Sequence, residues 1–219
     1  MHIDALIFDS DGTLVDSEAP GLDVVHRLAV EQGLVISREE AHERFRGVRM
    51  AEVAAWIAER LGQAGPVFED RFVDLAREGM AERFRQGLDP MPGAAELIGR
   101  LKVPYCVATN GPREKVELTL AVCGLRPLFG DRVFSAYEVG MFKPEPGLFL
   151  HAAQALGALP ERCAVVEDSA TGIAAGVAAG MQVFAMCPPR LVPEVFHARV
   201  TFIDALSDLL RLLPAQALR

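Results

Sequence analysis

Short apolar runs recur along this chain, and most of them are separated by segments whose apolar residues recur every three or four positions. The runs lie at 3–8, 103–109, 132–135, 163–167, 182–186 and 199–203. Short runs that are apolar at almost every position are typical of strands buried on both faces. Because such strands alternate here with helices, the pattern predicts an α/β fold with a mostly parallel, doubly wound sheet.

Residues 20–87 depart from this alternation, because their apolar positions follow helical spacing and no strand-like run interrupts them. About four helices are predicted there, separated by Gly33, Gly47 and the segment 62–66. We therefore expect a helical domain at 18–87, inserted into an α/β core domain formed by 1–17 and 88–219. Pro92, which follows the insertion, is expected in the first turn of the next helix.

The composition limits the classes of partner. Of the 219 residues, 51% are hydrophobic, so the chain can bury a substantial core. Its 22 basic and 30 acidic side chains give a formal charge of −8, which offers neither a basic surface for nucleic acid nor a polybasic membrane patch. This charge is compatible with a small phosphorylated ligand, and we expect no nucleic acid or membrane partner. The pattern leaves both a monomer and a homodimer open.

The cysteines lie far apart and form no CxxC pair, which argues against a zinc site: Cys106, Cys123, Cys163 and Cys187. Cys106 and Cys163 fall in apolar strand-like runs, where cysteine acts as a small buried hydrophobe. Free thiols are typical of reducing compartments, and the first residues enter a predicted strand without a basic, apolar leader. We therefore expect a cytoplasmic protein.

Two carboxylates follow the first predicted strand. The segment DSDGTLVDSE, residues 9–18, places Asp9 and Asp11 two positions apart. Ligands of open α/β sheets bind just outside the carboxyl ends of the strands, which is where both aspartates would lie. Gly12 then allows a sharp backbone turn. An acidic turn without catalytic function is the alternative, but paired carboxylates at this place favour a phosphate-transfer site.

Four ordered motifs resemble those of the haloacid dehalogenase superfamily, and together they span nearly the whole chain. DSDGT is similar to the first motif, and the others are YCVATNG at Tyr105–Gly111, GMFKP at Gly140–Pro144 and VVEDS at Val165–Ser169. The resemblance implies a Rossmann-like core with an inserted helical cap domain. It also implies a phosphoric monoester hydrolase that forms an aspartyl-phosphate intermediate.

The resemblance assigns roles to the polar residues of the first three motifs. Asp9 would attack phosphorus, and Asp11 would protonate the leaving oxygen and then activate water. Lys143 would hold the phosphoryl group and the nucleophile together. A phosphoryl oxygen would be bound by three residues that, taken alone, form an ordinary turn: Thr109, Asn110 and Gly111.

Four acidic side chains would share this pocket, which is unfavourable without a cation: Asp9, Asp11, Glu167 and Asp168. A hard, oxygen-ligated ion such as Mg²⁺ suits them. The resemblance implies that Asp9, the Asp11 backbone carbonyl and Asp168 bind it directly, and that Glu167 binds it directly or through water. Taken alone, Glu167 and Asp168 also fit the acidic pair favoured at a helix N-terminus.

The cap segment Phe45–Met50 resembles the specificity loop of the branch that includes β-phosphoglucomutase and phosphoglycolate phosphatase. Within it, Arg46 and Arg49 either bind an anionic part of the substrate or are simply solvated. The KPEP, TNGP and GVR segments most resemble bacterial sugar-phosphate phosphatases of the 6-phosphogluconate phosphatase type. The expected activity is Mg²⁺-dependent hydrolysis of a small phosphorylated sugar or sugar acid.

A β-phosphoglucomutase-like phosphomutase is the alternative activity. The mutase uses a cap histidine to discriminate a sugar hydroxyl from water, and the corresponding position in this chain is Gly21. His26 lies one to two turns further along the same predicted helix and is expected to be a surface or capping residue. A phosphatase is therefore favoured over a mutase.

Overall fold

A six-stranded parallel sheet forms the centre of the computed structural model, which describes residues 2–219. The strands are β1 (Ala5–Phe8), β2 (Tyr105–Thr109), β3 (Val133–Ser135), β4 (Cys163–Glu167), β5 (Gln182–Ala185) and β6 (Val200–Phe202). They lie in the order β3-β2-β1-β4-β5-β6, and every neighbouring pair is parallel. Each predicted apolar run contains one of these strands, so the predicted doubly wound α/β fold is confirmed.

The chain divides into two compact units: one runs to Asp16 and resumes at Asp89, and the other is Ser17–Leu88. The second unit is built from the helices α1 (Glu18–Glu31), α2 (Arg38–Phe45), α3 (Met50–Arg60) and α4 (Pro66–Arg85). Apolar side chains from all four helices form one buried cluster, which includes Val25, Ile57 and Phe72. Residues 20–87 thus contain four helices and no strand, as the helical spacing of their apolar residues predicted.

The first unit surrounds its sheet with α5 (Ala94–Arg100), α6 (Arg113–Val122), α7 (Arg126–Phe129), α8 (Ala136–Val139), α9 (Gly147–Ala155), α10 (Ala170–Ala178) and α11 (Leu209–Leu212). Every side chain of the central strands β1 and β4 is buried. Burial on both faces explains why these strands are apolar at consecutive positions. None of the helices within residues 2–219 is both long enough and apolar enough to cross a membrane.

The start of α5 differs from the prediction, and the expectation for Pro92 is wrong. The helix begins at Ala94, after Gly93, whose φ is +83°. A left-handed residue cannot belong to a right-handed helix, so the helix starts after Gly93. Pro92 therefore belongs to the preceding loop.

The cysteines are free, and the two predicted to lie in strands, Cys106 and Cys163, are buried there. Burial raises the pKa of the Cys163 thiol to about 11. At neutral pH this thiol is therefore protonated and unreactive. Its structural role as a small apolar side chain agrees with the prediction.

Replacing Gly176 with alanine is expected to destabilise the protein. A Cβ at this position of α10 would lie 2.8 Å from Cγ2 of Val183 and 3.5 Å from Cβ of Val165. We expect the free energy of unfolding to fall by about 1–3 kcal/mol, the usual cost of overpacking a core. Urea denaturation measures this change.

Gly99→Ala is the matched control for this experiment. Gly99 lies in α5, and no atom lies within 4 Å of its Cβ position. Alanine there should raise the free energy of unfolding by about 0.5–1 kcal/mol, because glycine is the poorer helix former. If both substitutions stabilised the protein equally, the close approach of α10 to the sheet would be contradicted.

Candidate active site

Acidic residues follow the two central strands of the sheet. Asp9 comes directly after β1, and its backbone N–H donates a 3.0 Å hydrogen bond to the Val166 carbonyl of β4. Glu167 ends β4, and Asp168 follows it. The strand order reverses between β1 and β4, so these carboxylates lie at the switch point where open α/β sheets bind ligands.

A buried lysine joins Asp9 to a second carboxylate. Lys143 Nζ donates hydrogen bonds to Asp9 Oδ1 at 2.5 Å and to Glu167 Oε1 at 2.8 Å. The side chain of Lys143 is 2% exposed and that of Glu167 is 1% exposed. Charges removed from water are costly unless they are paired, and here one ammonium is shared by two carboxylates. When both carboxylates are ionised, the cluster of Asp9, Lys143 and Glu167 therefore carries one excess negative charge.

The pKa values of Asp9 and Lys143 are both raised, but for different reasons. Burial raises the pKa of Asp9 from 3.8 to about 7, with Lys143 opposing the shift and Glu167 adding to it. Burial lowers the pKa of Lys143, but the charges of Asp9 and Glu167 outweigh it and the net shift is upward. A cluster with two carboxylates and one ammonium retains protons readily. An added positive charge beside Asp9 would favour its ionised, nucleophilic form.

The Asn110 side chain holds the backbone of Lys143 through two hydrogen bonds. Its Oδ1 accepts from the Lys143 N–H at 2.9 Å, and its Nδ2 donates to the Lys143 carbonyl oxygen at 3.1 Å. Thr109 Oγ1 accepts from the Gly111 N–H at 3.0 Å. The second motif thus forms a tight turn that fixes the third. Binding of a phosphoryl oxygen by Thr109, Asn110 and Gly111 stays a prediction.

Both carboxylate oxygens of Glu167 are engaged within the protein. Oε1 accepts from Lys143, and Oε2 accepts from the Ser169 N–H at 2.7 Å and the Ser169 hydroxyl at 2.8 Å. Gly172 provides the space, because a Cβ there would lie 1.7 Å from Glu167 Oε1. Glu167 therefore orients Lys143 in this structure. Its contact with a metal, either direct or through water, stays a prediction.

Asp11 is paired with a lysine that the sequence reasoning missed. Lys115 Nζ lies 2.7 Å from Asp11 Oδ2, and the two side chains are 32% and 29% exposed. Lys115 lies in the first turn of α6, close behind the second motif. The sequence did offer an indication that Lys115 is special, because the 22 basic residues of the chain include only three lysines. Two of these three contact the aspartates of the first motif.

Asp168 lies against the turn that contains Gly12. Gly12 has a φ of +79°, and a Cβ on it would lie 2.1 Å from Asp168 Oδ2, so only glycine fits there. Thr13 Oγ1 donates to Asp168 Oδ1 at 3.4 Å. Across residues 2–219, no three acidic, imidazole or thiol side chains converge as a complete metal centre. Mg²⁺ needs only one or two carboxylates, because it usually keeps several waters.

Arg46 and Arg49 form ion pairs within the helical unit, the first with Glu18 and the second with Glu52. The arginine side chains are 55% and 80% exposed. Solvent-exposed pairs contribute little to stability, so both can open at low cost. Binding of an anionic substrate group by these arginines stays a prediction.

The helical unit offers no imidazole at the position used by the mutase. Gly21 is buried, and a Cβ there would lie 3.5 Å from Met80 Cε and 3.6 Å from Phe84 Cζ. His26 Nε2 lies 3.1 Å from the carbonyl oxygen of Ile36, in the loop between α1 and α2. Neither position favours the mutase.

The chain is similar to known hydrolases along most of its length. Residues 3–180 match the family of haloacid dehalogenase-like hydrolases. The chain is 34% identical over 208 residues to 6-phosphogluconate phosphatase of Escherichia coli K12, covering 95% of this chain and 93% of that protein. It is 31% identical over 207 residues to hexitol phosphatase A of the same bacterium, with coverage of 89% and 88%.

A solved structure supports the same relationship. A haloacid dehalogenase family hydrolase of Deinococcus radiodurans, crystallised with bound phosphate and sodium, has a TM-score of 0.75 at 33% identity, covering 96% of this chain and 95% of that chain. The chain therefore belongs to the haloacid dehalogenase-like hydrolase family. The family resemblance of the four motifs is confirmed, as is the expected class of enzyme, a phosphatase.

Replacing Asp9 with asparagine is expected to stabilise the metal-free protein above neutral pH. Between pH 3.8 and about 7, the folded protein keeps a proton on Asp9 that the unfolded chain has released. The stability of the wild type therefore falls as the pH rises through this window, whereas a neutral amide removes this dependence. The advantage of the variant should grow by on the order of 2 kcal/mol from about pH 5 to about pH 8.

Urea denaturation in the presence of a chelator at both pH values measures this advantage. Asp131→Asn is the control, because Asp131 is exposed and lies outside the cluster. An advantage of Asp9→Asn that is the same at both pH values would contradict the raised pKa.

Replacing Gly172 with alanine is expected to lower activity. The added methyl group displaces Glu167 Oε1 and so disrupts the hydrogen bond that Lys143 Nζ donates to this oxygen. We expect kcat to fall about tenfold or more, because a misplacement of about 1 Å can cost about 100-fold.

Ala178→Gly is the control for this loss of activity. Ala178 is exposed at the C-terminal end of the same helix, so glycine there should cost at most about 1 kcal/mol of helix stability without touching Glu167. Phosphate release is measured well below the Tm of both variants. Equal kcat values in the two variants would contradict the role of Glu167.

Proposed function

We propose that this chain is a Mg²⁺-dependent phosphatase that hydrolyses a small phosphorylated sugar or sugar acid through an aspartyl-phosphate intermediate. The observation that carries this proposal is the buried Lys143, which contacts Asp9 at the switch point of the sheet. The names of two relatives, 6-phosphogluconate phosphatase and hexitol phosphatase A, support the substrate class. In this proposal, residues 18–87 are the cap domain, 1–17 and 88–219 are the catalytic core, and the enzyme acts in the cytoplasm.

In the first step, a carboxylate oxygen of Asp9 forms a bond to phosphorus. The bond between phosphorus and the ester oxygen breaks, and Asp11 protonates that oxygen as it leaves. Lys143 offsets the charge of the anionic phosphoryl group beside the anionic nucleophile. Because Lys143 is already held by Glu167 and Asn110, it needs little rearrangement during the reaction.

In the second step, water attacks the aspartyl phosphate. Asp11, now ionised, accepts the proton of this water, and the bond between phosphorus and the Asp9 oxygen breaks. One carboxylate thus serves as acid and then as base. Its partial exposure suits this cycle, because protons can be exchanged with solvent between the two steps.

The oxygen donors of the site fit Mg²⁺, which prefers hard oxygen ligands. Asp9, the backbone carbonyl of Asp11 and Asp168 would hold it, and the glycine at position 12 allows the Asp168 carboxylate to approach the first motif. When bound, Mg²⁺ would supply positive charge for the phosphoryl oxygens and for the ionised form of Asp9.

Phosphate release from a panel of substrates tests this function. The panel contains 6-phosphogluconate, hexose 6-phosphates, β-glucose 1-phosphate, phosphoglycolate and a nucleotide, each with Mg²⁺ or with a chelator. We expect metal-dependent release from a sugar or sugar-acid phosphate, and its loss in Asp9→Asn because the amide cannot act as the nucleophile. Isomerisation of β-glucose 1-phosphate without phosphate release would instead identify a mutase.

A further inference from the structure

Lysine is rare in this chain, and its placement is selective. Nineteen of the 22 basic residues are arginine, and the lysines are Lys102, Lys115 and Lys143. Lys143 contacts Asp9 and Lys115 contacts Asp11, whereas Lys102 is exposed. Arginine engages carboxylates with a planar fork, but lysine is a compact point charge that can hold one carboxylate oxygen.

Lys115 occupies a position that the helix itself disfavours. It is the third residue of α6, where the helix dipole is positive and an acidic side chain would be stabilising. The contact of Lys115 Nζ with Asp11 Oδ2, at 2.7 Å, compensates for this unfavourable placement. A local violation of this kind is typical of a residue retained for function.

We propose that Lys115 is a positioning residue that orients the ionised Asp11 carboxylate as the general base for hydrolysis of the aspartyl phosphate. This inference rests on the proposed function. The Lys115 ammonium holds Asp11 Oδ2 and so restricts rotation of the carboxylate, which directs its other oxygen toward the attacking water. The water oxygen then bonds to phosphorus, its proton goes to Asp11, and the electron pair of the breaking bond returns to Asp9.

The kinetics of Lys115→Met on p-nitrophenyl phosphate test this role. The leaving group of p-nitrophenyl phosphate departs without protonation, so the acid role of Asp11 is not needed with this substrate. The constant kcat/KM then reports formation of the aspartyl phosphate, and kcat reports hydrolysis of the aspartyl phosphate. We expect Lys115→Met to lower kcat and KM together by about tenfold or more, with kcat/KM unchanged, because a misdirected base slows only the second step. The variant should then release a burst of p-nitrophenolate close to one equivalent per active site.

Two further variants separate positioning from a structural role. Lys115→Arg keeps a cation within reach of Asp11 and should recover part of the lost kcat, whereas Lys102→Met should behave as the wild type. Partial unfolding of Lys115→Met would lower kcat and kcat/KM equally, leave KM unchanged and reduce the burst amplitude. In that case the concentration of folded active sites is titrated, and kcat and kcat/KM of the variant and the wild type are compared again per folded site.

Two outcomes would overturn the inference. A fall in kcat/KM with unchanged kcat would show that Lys115 binds the substrate, and wild-type values of both constants would show that the ion pair has no kinetic role. Either result leaves the proposed function intact, because wild-type turnover and its loss in Asp9→Asn are measured in the same assay. Absence of metal-dependent turnover in the wild type would instead count against the proposed function itself.

Discussion

The shared hydrogen bonding of Lys143 with Asp9 and Glu167 is the interaction on which the site depends. All three side chains are removed from water, so each charge is tolerable only because the others are present. Asp9 follows the end of β1, Lys143 lies in the loop after α8, and Glu167 is the last residue of β4. The packed sheet and the reactive cluster therefore depend on each other, because the sheet brings the three charged side chains together.

Around this cluster lie residues that hold the reactive groups in place. Asn110 fixes the backbone of Lys143, and Ser169 holds the second oxygen of Glu167. Glycine at positions 12 and 172 leaves the space that the Asp168 and Glu167 carboxylates occupy. These contacts preorganise the site, so that little reorganisation is needed when a charged substrate binds.

The two aspartates of the first motif are held by lysines in different surroundings. Asp9 is buried with Lys143, which suits a nucleophile whose position stays constant and whose charge is paired. Asp11 and Lys115 are partly exposed, which suits a group that exchanges protons with solvent. Burial thus distinguishes two carboxylates that lie only two positions apart in the sequence, as it does in other sites with paired acids.

Hydrophobic periodicity and turn residues are local signals, and they were enough to predict the six strands and the four helices of the insertion. The four motifs were recognised directly from their residues and their order. Local signals failed at Pro92, where the left-handed Gly93 delays the helix. Only the tertiary structure joined Asn110 to Lys143 across 33 positions and Lys115 to Asp11 across 104. Such pairs depend on which strand ends lie side by side, and no local pattern of residues encodes that neighbourhood.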